Sequence, residues 1–266
     1  MTVDMSQTAE TLRLRRLGWA GVEVRLGGTH LLIDPLRNVA ELEPVLGPPK
    51  RRLPAVETPE GTHVVITHTH PDHYDRALLA QMTDPGTVGC YSAVVSELAD
   101  DGIAAVPQEL GQSRGIGPLT VTPVTSLDWR GTDSLQVAWV VEGAGARIIH
   151  CGDTMWHGNW WQIARDHGPF DLAFVPVNGV IAQFEGYEAN VPVTMTPEQA
   201  VEAAGALGAD AVCAIHYELF DNPPVYTEQP DIVRRFRRAA DTRGITAHVV
   251  GDGEVVPLPA RTGTDA

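Results

Sequence analysis

The stretch THTHPDHYD, residues 67–75, places three of the chain's ten histidines and two aspartates directly after the apolar run Val64-Val65-Ile66. The run THVVIT reads as a strand and DHYDRALLAQM as a helix, so the polar cluster falls in the loop between them. Val64, Ile66, His68 and His70 share parity, and if the extended geometry persists both histidines project to one side. Asp72 and His73 follow where the helix is expected to begin. Four potential ligands therefore converge at a strand end, where a rigid scaffold can hold loop chemistry. Imidazole suits zinc, iron, nickel or copper, and carboxylate adds hard oxygen ligation. A solvated polar loop is the plain alternative, but histidine and aspartate packed this densely at a strand end form a metal signature.

Outward from this point, strands and helices alternate. Upstream, VEVRL, Gly27-Gly28 and HLLID read as a hairpin ended by Asp34-Pro35. The proline-rich segment that follows, through Lys50-Arg51-Arg52, reads as an irregular surface excursion. Downstream, TVGCYS, AAVPQEL and LTVTPVTS read as strands, with SAVVSELAD a helix. A second hairpin, SLQVAWVVEG, Ala144-Gly145 and ARIIHCGD, echoes the first: strand, glycine turn, apolar strand, aspartate. A Trp-rich helix (MWHGNWWQIARD) and the strand DLAFVPV come next. Thr196, Pro197 and Gln199 then spell a capping box with proline at the first helical position. The strand ADAVCAIH and the helix DIVRRFRRAADTRG follow, and the chain is expected to end in a strand pair around Gly251-Asp252-Gly253. No linker separates two complete patterns, so the expectation is one α/β domain over 15–258, with tails at 1–14 and 259–266.

Hydrophobic residues at 43% and charged residues at 20% describe a soluble globular chain long enough to bury a sizeable core. A formal net charge of -15 opposes generic attraction to phosphate backbones or anionic lipid, so neither nucleic acid nor membrane is an expected partner. Cys90, Cys151 and Cys213 form no CxxC pair and suit a reducing compartment. With no apolar leader and no stretch of roughly 20 apolar residues, the expected location is the cytoplasm.

The motif THTHPDH resembles the HxHxDH signature of the metallo-β-lactamase superfamily. LGWAGVEVRLGGTHLLIDP, IIHCGDT, DLAFVPVNG and the segment from Met195 to Phe220 resemble, in order, its ascorbate-6-phosphate lactonase-like and N-acylphosphatidylethanolamine phospholipase-like branch. The resemblance implies an αβ/βα four-layer sandwich with a dinuclear metal site along one edge and two halves related by a pseudo-two-fold. It implies that His68 and His70 bind a first metal, Asp72 and His73 a second, that Asp153 bridges them, and that His216 completes the second site. Two divalent ions are the implied cofactors, zinc foremost.

At one position the chain departs from that branch, which places a histidine between the first motif and the Gly-Asp-Thr turn. No histidine occurs from residue 74 to 149, and Asp128, before Trp129, is the best candidate for the vacant place. A carboxylate there adds charge and hardness, shifting preference toward manganese or iron. Two chemistries follow. In the first, a dinuclear-site hydroxide attacks a small ester, lactone or phosphodiester, with Asp72 and Asp153 as the catalytic acids. In the second, the site is a carboxylate-rich di-iron centre of an oxygenase. A non-catalytic metal-binding protein is a third reading. Trp19, Trp156, His157, Asn178 and Tyr187 are candidate substrate contacts, and Val180 stands where phosphate-handling lactonases often carry arginine. The expected partner is a small molecule, and a homo-oligomer is compatible with the sequence.

Overall fold

The computed structural model describes residues 11–82, 84 and 86–259. Residues 1–10 and 260–266, most of the two expected tails, lie outside the described residues. In chain order the elements are β1 (Arg13–Gly18), β2 (Gly21–Leu26), β3 (Thr29–Ile33), α1 (Glu43–Leu46), β4 (Thr62–Val65), α2 (Arg76–Leu79), β5 (Val88–Tyr91), α3 (Val95–Asp100) and β6 (Ala105–Gln108). There follow β7 (Arg114–Ile116), β8 (Leu119–Thr125), β9 (Val137–Gly143), β10 (Ala146–His150), α4 (Trp160–His167), β11 (Phe170–Pro176), β12 (Ile181–Phe184) and β13 (Tyr187–Glu188). The last are α5 (Pro197–Leu207), β14 (Ala209–Ile215), β15 (Tyr226–Thr227), α6 (Ile232–Arg243), β16 (Thr246–His248) and β17 (Val255–Val256).

Two seven-stranded sheets carry the fold, ordered β17-β1-β2-β3-β4-β5-β6 and β16-β14-β11-β10-β9-β8-β7. Alternation along each strand builds the layers. Leu31, Ile33 and Val65 face Trp139, Ile148 and Phe174 between the sheets, while Leu32, Val64 and Ile66 turn outward to Leu78, Leu79 and Leu98. The second sheet's outer face, with Ile149, Ala173 and Val212, packs on Trp160, Ala200, Val201 and Phe236 of the helices. The result is the expected αβ/βα sandwich.

The capping box is present: Thr196 Oγ1 accepts from the Gln199 backbone, and Gln199 Oε1 accepts from the Thr196 backbone. Both echoing hairpins form as antiparallel pairs, β2 with β3 and β9 with β10, each followed by a parallel strand.

Four local expectations need correction. β1 begins at Arg13, inside the tail expected to run to residue 14. The final two strands do not pair with each other: β16 joins β14 in one sheet and β17 joins β1 in the other. The turn at 251–253 carries the chain between sheets, held by Asp252 accepting from Arg16 and Arg51. The third correction concerns α2, which starts only at Arg76, so Asp72 and His73 sit in a tight turn before it, where His70 O accepts from both His73 N and Tyr74 N. The fourth is that α4 starts at Trp160 and leaves Trp161 exposed rather than packed in the core.

Candidate metal centre

Every expected ligand lies beyond the carboxyl end of a strand on one side of the sandwich. The loop after β4 supplies His68, His70, Asp72 and His73, and the loop after β8 supplies Asp128. Asp153 follows β10 and His216 follows β14. Such strand ends are where open α/β sheets place their ligands.

The side chains gather in two groups. His68, His70, Asp128 and Asp153 offer ligand atoms that all lie within 4.8 Å of one another, and so do Asp72, His73 and His216. Between neighbours the separations are 3.7 Å for His68 Nε2 and Asp153 Oδ1, 3.6 Å for His70 Nδ1 and Asp128 Oδ2, and 3.6 Å for His73 Nε2 and Asp72 Oδ2. These are too long for hydrogen bonds but suit two ligands on one ion, since bonds of about 2.0–2.1 Å at tetrahedral angles place ligand atoms roughly 3.3 Å apart. His68 Nε2, His73 Nε2, Asp128 Oδ2 and Asp153 Oδ1 are moreover buried without any hydrogen-bond partner. A buried polar atom left unpaired is costly, and four aimed into two shared spaces fit a pair of cations. The donor set of imidazole and carboxylate suits zinc, manganese or iron.

The opposite sides of the imidazoles are fastened. Asp34, wholly buried at the end of β3, accepts from Thr67 N, Thr67 Oγ1 and His73 Nδ1, each at 2.7 Å. This carboxylate fixes the tautomer that leaves His73 Nε2 facing the second group. Thr67 Oγ1 lies 3.0 Å from His68 Nδ1, and Ser134 Oγ lies 3.0 Å from His70 Nε2. Trp19 Nε1 donates to Asp72 Oδ2 at 3.0 Å, and the Trp19 ring lies 3.9 Å from that of His216. Asp34, Trp19 and His216 have φ of 46°, 51° and 59°, a conformation that non-glycine residues rarely adopt and that clusters at functional sites.

Asp128 reaches its group through the Gly-Asp-Thr turn. Thr154 Oγ1 donates to Leu127 O and accepts from Leu127 N, and Met155 N also donates to Leu127 O, stitching the Asp128 loop to the Asp153 turn. Gly152, at φ +67°, has Thr67 side-chain atoms 3.2 Å from where a Cβ would stand, so the turn can approach the first motif only without one.

The electrostatics mark a site awaiting positive charge. Burial and the neighbouring Asp153 push Asp128 up to about 6, while burial pushes Asp153 itself up to about 7. Burial drives His68 well below the ordinary histidine range and brings His216 down to about 4. Burial also opposes charge on His73, yet Asp72 and Asp34 outweigh it and raise this group to about 10. For Asp72 burial raises, but His73 and His216 prevail and hold the acid well below the carboxylate range.

A cavity of about 450 Å³ opens over the two groups, lined by His70, Asp72, Asp153 and His216 on its floor. Its walls come from Leu42, Val45 and Leu46 of the excursion after β3, from Trp129 and Arg130, and from Val180, Phe184 and Tyr187 around β12 and β13. Of the candidate substrate contacts, Tyr187 lines the cavity. Trp19, Trp156, His157 and Asn178 do not: Trp19 supports Asp72, His157 is buried with its ring 3.9 Å from that of Trp160, and Asn178 bonds Tyr226 and Thr194. Trp156 packs between Trp160 and Trp161. His150 is buried too, its Nε2 lying 2.7 Å from Ala20 O. The sequence reading missed Asp34 and Thr154 as supports and Arg130 as a wall residue. Asp34 carried a signal, being the counterpart in the first hairpin of the aspartate that follows the second.

The chain is 26% identical to a protein named UPF0173 metal-dependent hydrolase from Caldivirga maquilingensis, over 93% of this chain and 99% of that one. Among solved structures it is similar to isothiocyanate hydrolase from Delia radicum gut bacteria, with TM-score 0.72, 18% identity and coverage of 93% and 100%. It is also similar to CmlA, a diiron beta-hydroxylase from Streptomyces venezuelae, with TM-score 0.63, 16% identity, and coverage of 94% of this chain and 55% of that one. The profile of the beta-lactamase superfamily domain matches residues 29–217, a span that holds both ligand groups and Asp34, and the chain belongs to that superfamily, in its metallo-β-lactamase form.

Proposed function

We propose that the protein is a metal-dependent hydrolase that holds two divalent ions, zinc foremost, and cleaves a small ester, lactone or phosphodiester. The observation that carries this reading is the convergence of seven histidine and aspartate side chains whose unpaired buried atoms face two shared spaces at the floor of a cavity. Relatives named as metal-dependent hydrolases support it. Bound ions would supply Lewis acidity and lower the pKa of water enough to make a nucleophile at neutral pH. The chain's own residues do the rest. Asp34 and Thr67 hold the imidazoles in one orientation, and the apolar walls exclude bulk water from the floor. Trp19 and His216 occupy Asp72 Oδ2, leaving Oδ1 as the oxygen that takes a proton from attacking water. The water oxygen bonds to the acyl carbon or phosphorus, the ester bond breaks, and the proton passes to the leaving oxygen. Within the superfamily we place the chain in the lactonase-like branch, with Val180 speaking against a sugar phosphate.

The test is turnover of 4-nitrophenyl esters, lactones and bis(4-nitrophenyl) phosphate by protein loaded with zinc, manganese or iron. The expected result is hydrolysis abolished by chelation and restored by the ion. Asp128 supports a second reading, a carboxylate-rich di-iron oxygenase, because a buried carboxylate occupies a place in the first group. Oxygen consumption by the iron-loaded protein, with no hydrolysis under any ion, would favour that reading over ours.

A further inference from the structure

Arg130 is the single lysine or arginine among the residues that line the cavity. Elsewhere in this acidic chain, arginines of the interior are neutralised: Arg16 pairs with Asp252, Arg147 with Glu142 and Arg235 with Glu198. Among the described residues no carboxylate lies within ion-pair distance of the Arg130 guanidinium, and its buried Nε has no hydrogen-bond partner. The group is nonetheless held in place. Its guanidinium carbon lies 4.7 Å from the centre of the Tyr187 ring, and Nη2 is 3.5 Å from the Tyr187 hydroxyl. Tyr187 is itself anchored, donating to Asp133 Oδ2 at 3.0 Å and meeting the Trp129 ring edge-on at 5.4 Å. Stacking covers one face of the guanidinium and leaves its planar N–H edges, the part that recognises carboxylates. Ordering by Tyr187 lowers what a ligand must spend in entropy to use them.

The register with the ligand groups is also set. Arg130 N donates to Asp128 Oδ1 at 2.7 Å, so the cation stands beside the first group by construction of one short loop. Around it the walls are apolar, from Trp129 and Phe184 to Leu42 and Leu46. Glu41 and Glu185, the remaining charged wall residues, are exposed at the mouth, where water screens them but where they oppose a second negative charge.

We propose that Arg130 is the anion-recognising group of this cavity and that the substrate is a small organic monoanion, a carboxylate on an apolar body, whose labile bond lies over the two ligand groups. This inference rests on the hydrolase reading for the labile bond and on Arg130 alone for the carboxylate.

Two esters of matched shape separate the terms: 4-nitrophenyl hexanoate, which is neutral, and mono(4-nitrophenyl) adipate, which ends in a carboxylate. Metal-loaded wild-type protein is expected to favour the adipate ester in kcat/KM by about 10- to 100-fold, the scale of a charge-assisted hydrogen-bonded pair, mainly through KM. In Arg130→Met that ratio should collapse toward 1, and Arg130→Lys should keep part of it. A wild-type ratio at or below 1, or a ratio left unchanged in Arg130→Met, overturns the proposal. Should neither ester be hydrolysed, the hydrolase reading fails on its own, and calorimetry of hexanoate, hexanamide and hexyl phosphate then decides. Preference for hexanoate over hexanamide that vanishes in Arg130→Met sustains the anion site. Equal binding of the two, or tighter binding of hexyl phosphate, overturns it.

Discussion

The two ligand groups are built differently. The second group takes Asp72 and His73 from adjacent positions and is closed from behind: Asp34 grips His73, and Trp19 grips Asp72 while covering His216. The first group is assembled from three separate loops and faces the cavity, with His70 partly exposed and Asp128 carried in by the Thr154 stitch. One group is thus fixed by a buried carboxylate that holds no metal, the other by a hinge of hydrogen bonds between two loops. A rigid inner site and an outer site tunable by a single loop residue follow from that contrast.

Breaking the inner anchor should have the largest effect. Asp34→Ala leaves Thr67 N, Thr67 Oγ1 and His73 Nδ1 without their acceptor inside the core, and should cost about 3–5 kcal/mol in chemical denaturation. Metal affinity should fall by about 10- to 100-fold. Unchanged affinity in a folded variant would mean that Asp34 does not orient the imidazole.

Next is Asp128→Ala, which removes a ligand from the outer group and leaves the inner one intact. Metal analysis should show loss of about half the bound ion, and hydrolysis should drop by about 10²-fold or more. Asp128→His restores a ligand but trades charge for imidazole, so it should retain zinc and lose preference for manganese or iron. Full metal content in Asp128→Ala would remove this residue from the ligand set.

A pH series sharpens the same contrast. In chelated protein His73 is raised to about 10 from an unfolded value near 6.5, so its contribution to stability is complete below 6.5 and is lost as pH rises toward 10. Metal on Nε2 holds His73 neutral throughout and should erase this dependence. Melting temperatures from pH 6.5 to 10 should therefore fall in chelated protein and stay flatter in loaded protein; parallel curves would refute the pairing of His73 with Asp34 and Asp72 as its cause.

Trp19→Phe should do least. It keeps most of the ring packing on His216 and Phe220 and removes the hydrogen bond to Asp72 Oδ2, at a cost of about 1 kcal/mol. The expected signature is a small loss of affinity at the inner group with the outer group unaffected.

Much of this was legible in the linear sequence where the signal was local. Period-two alternation around a glycine turn announced both hairpins, and Thr196-Pro197-Glu198-Gln199 announced the start of α5, because hydrogen-bond chemistry within a few residues suffices there. Asp75 shows the limit. It closes the motif THTHPDHYD and looks like a further ligand, yet it caps α2 through Leu78 N and pins Arg37 N and Asn38 N. The excursion after Asp34 looked like bare surface, and its Leu42, Val45 and Leu46 are instead a cavity wall, since proline-rich composition reports irregular backbone but not what that backbone lies against. The final two strands misled in the same way: a glycine turn between short apolar runs announces a reversal without saying that the runs join different sheets.

By itself the sequence determined which residues carry the chemistry, because ligand type and spacing are properties of a short stretch and of strand ends. Tertiary structure alone decided which atoms face the ions and which face their supports. It divided seven side chains between two groups, made Asp34 a support and Asp128 a member, and stood Arg130 unpaired over Tyr187. The physical reason is range: alternation and capping act across a few bonds, whereas the burial that leaves one polar atom unpaired depends on loops brought together from opposite ends of two sheets.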